Sequence, residues 1–112
     1  MEQKKFNELA LQLIEASKKQ LLIEFKLLTA FLKEKVTDFK ALMKLDINRL
    51  QWLQNWGEQL QDAEDELNTG QTPNKQTFKT ICNALQWVEE FEFENPLEYE
   101  KFKDQLRENL KK

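Results

Sequence analysis

The sequence predicts an all-α fold, an antiparallel helical bundle of four helices forming one domain over residues 1–112. Three observations predict it. Between Glu2 and Thr69 there is no proline and a single glycine, Gly57. Apolar residues recur three and four apart through that stretch, the spacing of a helix face packed on other helices. After it, each proline follows a residue with helix-capping chemistry, as though punctuating the chain into shorter helices.

The first helix is expected over about residues 3–35. Leu11, Phe25 and Leu32 lie in one seven-residue series that continues to Phe39, and Ile14, Leu21 and Leu28 lie in a second that continues to Leu42. Lys19, Lys26, Lys33 and Lys40, also seven apart, form a ridge on the opposite side. A single helix over residues 3–68 would be about 100 Å long, and nothing else in the chain could cover it. The run is therefore expected to break. Ser17, Thr37 with Asp38, and Asp46 each carry N-cap chemistry, which leaves breaks near 17, 37 or 46 open. Lys35 interrupts the stripe and favours a turn at 35–38, with the second helix over about 38–68.

In the second helix Leu42, Leu53, Trp56, Leu60, Ala63 and Leu67 fall on one side. Gly57 costs a helix about 1 kcal/mol relative to alanine, which suggests close approach of a neighbouring helix. Gly70 suits a left-handed C-cap position. Thr72-Pro73 is a cap followed by a first-turn proline, opening a third helix over about 73–93 with Phe78, Ile81, Cys82, Leu85 and Val88 inward. Asn95-Pro96 repeats the device and opens a fourth over about 96–111, with Tyr99, Phe102, Leu106 and Leu110 on one stripe. Two long and two short helices imply a long hairpin projecting beyond the short pair. A compact chain of this length would have a radius of gyration of about 13–14 Å.

Composition excludes more chemistry than it suggests. The chain has no histidine, so it lacks the commonest general base and transition-metal ligand. No phosphate-cradling glycine loop, Ser/His or Cys/His pair, or zinc-type spacing occurs. The expectation is no enzyme, no cofactor and no catalytic residue. Only a site built from carboxylates, suited to Mg²⁺ or Ca²⁺, stays open. The lone Cys82 cannot form an internal disulfide and reads as a small buried hydrophobe. The densest apolar window, Leu21–Leu32, is shorter than the roughly 20 residues of a membrane span and starts too late for a signal peptide. A soluble cytoplasmic protein is expected.

The net charge of −3 is unevenly distributed. Residues 1–50 hold ten Lys/Arg against seven Asp/Glu, and residues 51–112 hold seven against thirteen. The acidic half suits a partner with a basic surface. The lysine ridge is read as a solvated face, since an acidic chain is a poor nucleic-acid ligand.

The candidate partner-binding residues cluster where acid and aromatic alternate: Trp87, Glu89, Glu90, Phe91, Glu92, Phe93, Glu94, Glu98 and Tyr99. Aromatic side chains would anchor the partner and glutamates would orient it. The competing reading is a solvated acidic corner over core aromatics. Trp52 joins the candidates because it is offset from the Leu53–Trp56–Leu60 stripe toward Arg49. The expected function is thus non-enzymatic protein–protein binding, of the adaptor, chaperone or inhibitor type.

Two alternatives stand beside it. One is a structural homodimer, since Leu22, Ile23 and Leu27 lie outside the main stripe and a second copy would cover them. The other is an inhibitor whose carboxylates, including Glu58, Asp62, Glu64, Asp65 and Glu66, imitate a phosphate backbone.

Overall fold

A computed structural model describes residues 2–35, 40, 48–88 and 95–111. It is an all-α helical bundle. Among the described residues there are four helices: α1 (Gln3–Lys35), α2 (Asn48–Leu67), α3 (Lys75–Trp87) and α4 (Pro96–Lys111). The expected turn at 35–38, the alternative break at 46, and the start of the second helix lie outside the described residues.

Of the three break positions left open, the one near 17 is ruled out. α1 runs unbroken through Ser17, which is fully buried, and its hydroxyl donates to the Leu13 carbonyl at 2.9 Å. A serine that satisfies its hydroxyl one turn back needs no cap role.

α1 and α2 pack antiparallel. Lys18 meets Glu64, Leu21 meets Gly57, and Glu24 meets Arg49, so one number rises as the other falls. A Cβ placed on Gly57 would lie 3.1 Å from a Leu21 methyl, so the missing side chain lets the helices approach here. At the far end of α2, Gly70 takes φ of 78°, and its N–H donates to the Leu67 carbonyl. That conformation strains any residue with a Cβ.

The start of the third helix is also corrected. Pro73 is not its first residue; the helix begins at Lys75 with Asn74 as N-cap. Asn74 Oδ1 accepts from the Thr77 N–H at 2.9 Å. The Glu66 carboxylate takes the Asn74 N–H and, at 3.0 Å, the Thr77 hydroxyl. The Asn74 N–H, which a cap at Thr72 two residues earlier would have used, is thus taken by Glu66. Pro73 precedes the helix and is buried. In the described residues α3 ends at Trp87 rather than 93, with Val88 extended at φ −81°, ψ 116°. α4 starts at Pro96 as expected, and Asn95 Oδ1 accepts the Leu97 N–H at 2.9 Å.

The core gathers around the first half of α1. Phe6 stacks on Phe102 at 4.7 Å between ring centroids and tilts against Phe78 at 5.6 Å, drawing α1, α3 and α4 together. Leu9, Ala10, Leu13 and Ile14 continue the buried face, against Leu60, Ala63 and Leu67 of α2 and Ile81 and Ala84 of α3. Burying a side chain of this size contributes about 1.5–3 kcal/mol. The expected stripe therefore had the wrong phase in part. Phe6, Leu9 and Leu13 carry the core, Leu11 is half-buried, and Phe25 is exposed.

The chain is more elongated than expected. Its radius of gyration is 17.1 Å and its extents are 55 × 26 × 23 Å. A 33-residue α1 is about 50 Å long, whereas a 13-residue α3 spans about 20 Å. α3 ends beside Gln20, whose side-chain amide donates to the Trp87 carbonyl at 3.0 Å. Beyond that point α1 continues without α3.

Candidate functional site

Three tryptophans converge where α2 meets the end of α3. Trp52 and Trp56 are one helical turn apart, and Trp87 is the last residue of α3. Their ring centroids are 6.4 Å (52–56), 6.2 Å (52–87) and 5.8 Å (56–87) apart, the last pair meeting edge-on at 76°. The stripe position of Trp56 puts it in the core at 5% exposure, while Trp52 remains 43% exposed. Arg49, one turn before Trp52, holds its guanidinium carbon 4.7 Å from the Trp52 ring centroid and pairs with Glu24 at 2.6 Å. A cation on the ring face fixes the indole's orientation at the surface.

These rings line a cleft of about 510 Å³. Its other walls are side-chain amides, Asn55 and Gln59 from α2 and Asn83 and Gln86 from α3. A cleft of this size holds a small ligand or a few inserted side chains. Among the described residues its lining is aromatic and amide. These described residues supply stacking faces, N–H donors and carbonyl acceptors. Among the described residues, the buried Trp56 Nε1 meets no hydrogen-bond acceptor, an arrangement that ordinarily costs about 1–3 kcal/mol.

Of the residues expected from sequence, the structure brings Trp52 and Trp87 to one place. Glu98 and Tyr99 are elsewhere, at the start of α4. Glu98 pairs with Lys5 of α1 at 3.5 Å, and Tyr99 lies under the Lys103 ammonium at 4.3 Å from its ring centroid. The glutamates and phenylalanines Glu89, Glu90, Phe91, Glu92, Phe93 and Glu94 lie outside the described residues. Glu64 and Glu66 are engaged internally, Glu64 with Lys18 and Glu66 with the cap of α3.

Sequence reasoning missed the amide walls of the cleft. Asn55, Gln59, Asn83 and Gln86 are exposed polar residues on two helices, and only the α2–α3 packing aligns them. The four-residue steps 52–56 and 55–59 on α2 and the 83–87 step on α3 were the available signal.

A second surface is apolar. Leu22, Ile23, Phe25, Leu27 and Phe31 are 44–66% exposed on the half of α1 that outruns α3. On one flank Leu22 and Phe25 join Leu50, Leu53 and Gly57 in a groove of about 410 Å³. The lysine ridge is exposed at Lys19, Lys26, Lys33 and Lys40. Cys82 is half-buried against the core.

Among the described residues, no three Cys, Asp or Glu side chains converge as a metal site would require. No helix among them is long and apolar enough to cross a membrane. Comparison of the chain with protein-family models, with curated proteins and with solved structures finds no match, so its function is argued from these two surfaces.

Proposed function

We propose that this chain is a non-enzymatic binding protein that docks a protein partner through the tryptophan cleft. The observation that carries this reading is the convergence of Trp52, Trp56 and Trp87 around a cleft with Trp52 left 43% exposed. Tryptophan is among the side chains most enriched at the energetic centres of protein interfaces. Its large rigid ring gives contact area at low entropic cost. The partner reads as basic, because residues 51–112 are acidic and Glu89, Glu90, Glu92 and Glu94 come shortly after Trp87 in the chain. Work of this kind, occluding or bridging a partner, suits an adaptor, a chaperone or an inhibitor acting in the cytoplasm.

The test is affinity capture from the native host with three baits: the unaltered chain, Trp52→Ala, and the quadruple change of Glu89, Glu90, Glu92 and Glu94 to Lys. The reading expects one basic partner held by the first bait and lost from the other two. Equal recovery on all three, with each bait folded, would remove both the cleft and the acidic segment as docking determinants.

A further inference from the structure

The described lining of the tryptophan cleft is three indoles and four side-chain amides, in a chain of which 33% of residues are charged. Such a lining selects by stacking and hydrogen bonding rather than by charge. It is also richer in donors than in acceptors. An indole N–H only donates, and a side-chain amide brings two N–H donors against one oxygen. The Asn55 Oδ1 is already taken, accepting from the Gln51 side-chain amide at 3.1 Å. Trp56, 5% exposed, holds an Nε1–H that meets no acceptor among the described residues. The complement of this cleft is an occupant that accepts hydrogen bonds and brings few donors.

We propose that the occupant is a proline-rich segment of the partner in the polyproline II conformation. It presupposes that the cleft is the docking site for a protein, as proposed above. Proline has no N–H, so a run of prolines offers only carbonyl oxygens. In polyproline II those carbonyls make no internal hydrogen bonds and stay open to donors. Segments of this kind dock in aromatic-lined grooves, and their preformed shape keeps the ordering cost low. Length agrees as well. One turn of polyproline II, three residues, advances about 9 Å, and the α2 wall from Trp52 to Gln59 rises about 10 Å.

Other occupants fit less well. A planar base sandwiched between two rings needs them parallel and about 7 Å apart, twice a contact distance. The three ring pairs stand 6.4, 6.2 and 5.8 Å apart, and the last two are inclined at 54° and 76°. An anion would meet the acidic half of the chain, and Arg49 beside Trp52 is already paired with Glu24. A sugar hydroxyl donates as well as accepts, which leaves the donor excess unmatched.

All three tryptophans of the chain line this cleft, so intrinsic fluorescence reports on it directly. The experiment titrates the full chain with a ten-residue proline peptide, acetylated and amidated. An alanine-based peptide of the same length and the disaccharide maltose are titrated in parallel. The proline peptide is expected to give a saturating change and the other two none. Trp52→Ala and Asn55→Asp should each weaken binding about tenfold, the second because it puts an acceptor where a donor stood. Trp56→Phe keeps a ring, removes the N–H and should weaken binding to a similar degree. Gln54→Asp, which faces the other groove of α2, should bind as the unaltered chain does. Circular dichroism checks that each variant is folded; Asn55 is an exposed position, so its change tests the donor even where Trp56→Phe disturbs the core.

Equal binding of the alanine-based peptide overturns the choice of proline. Binding of maltose alone overturns a peptide occupant. A proline response untouched by Trp52→Ala and Asn55→Asp overturns the cleft as its site. Silence with all three probes overturns the proposal, whereas the docking reading itself falls only if the Trp52→Ala bait still captures the partner.

Discussion

The two halves of α1 are one continuous helix with opposite fates. Residues 3–20 hold seven apolar side chains in eighteen positions, and residues 21–35 hold nine in fifteen. The second half is the more apolar, yet the first is the one that is buried. Phe6, Leu9, Ala10, Leu13 and Ile14 are all at 4% exposure or less, while five large apolar residues of the second half are 44% exposed or more. The difference is coverage. α3 and α4 lie against the first half, and α3 ends at Gln20. Apolar density alone does not say where a core forms; the length of the neighbouring helices does.

This contrast can be broken most sharply at Phe6. Phe6→Ala removes a ring shared by α1, α3 and α4, and should cost about 3–5 kcal/mol in urea unfolding. A loss below 1 kcal/mol would mean that the Phe6–Phe78–Phe102 cluster does not hold the body together. Next in size is Glu66→Ala, which strips an acceptor from the Asn74 N–H and the Thr77 hydroxyl. With one of these donors part-buried, a loss of about 1–2 kcal/mol is expected. Asn74→Ala removes only the cap bond to Thr77 and should cost about 1 kcal/mol. If Thr72→Ala proved the more damaging of the two, the assignment of the cap to Asn74 would be wrong.

Smallest of all should be changes in the second half of α1. Phe25→Ala, measured at a concentration that keeps the chain monomeric, should alter stability by no more than about 0.5 kcal/mol. A loss above 2 kcal/mol would show that Phe25 is covered in solution. Gly57→Ala sharpens the boundary between the halves. Alanine favours the helix by about 1 kcal/mol, against a 3.1 Å approach to the end of the Leu21 side chain, which borders the open groove and can turn into it. Thermal melts should therefore show a net change near zero.

The helical class and the starts of α1 and α4 were legible because breakers and caps are local signals. Gly70, Asn95 and Pro96 act through their own backbone, and each acts where its chemistry predicts. Close approach at Gly57 was legible for the same reason. Legibility failed where two residues distant in sequence compete. Thr72 and Asn74 are both good caps, and the choice falls to Asn74 through a carboxylate eight residues earlier, on another helix. It failed again in the phase of α1, because its second half is apolar on several sides and any stripe drawn through it looks continuous.

The candidate site divides along the same line. Trp52 stood out through its offset from the stripe beside it, a property of one helix. Its meeting with Trp87 and the four amides depends on the register between α2 and α3, which no local pattern encodes. Glu98 and Tyr99 are near Trp87 in sequence, but from the start of α4 they meet Lys5 of α1 and Lys103 of α4.

The central claim is that coverage by α3 and α4 makes the first half of α1 the part that holds the molecule together, although the second half is the more apolar. Urea unfolding of Phe6→Ala beside Phe25→Ala tests it most directly. A loss of about 3–5 kcal/mol is expected for Phe6→Ala and of no more than about 0.5 kcal/mol for Phe25→Ala. Equal losses for the two would contradict it.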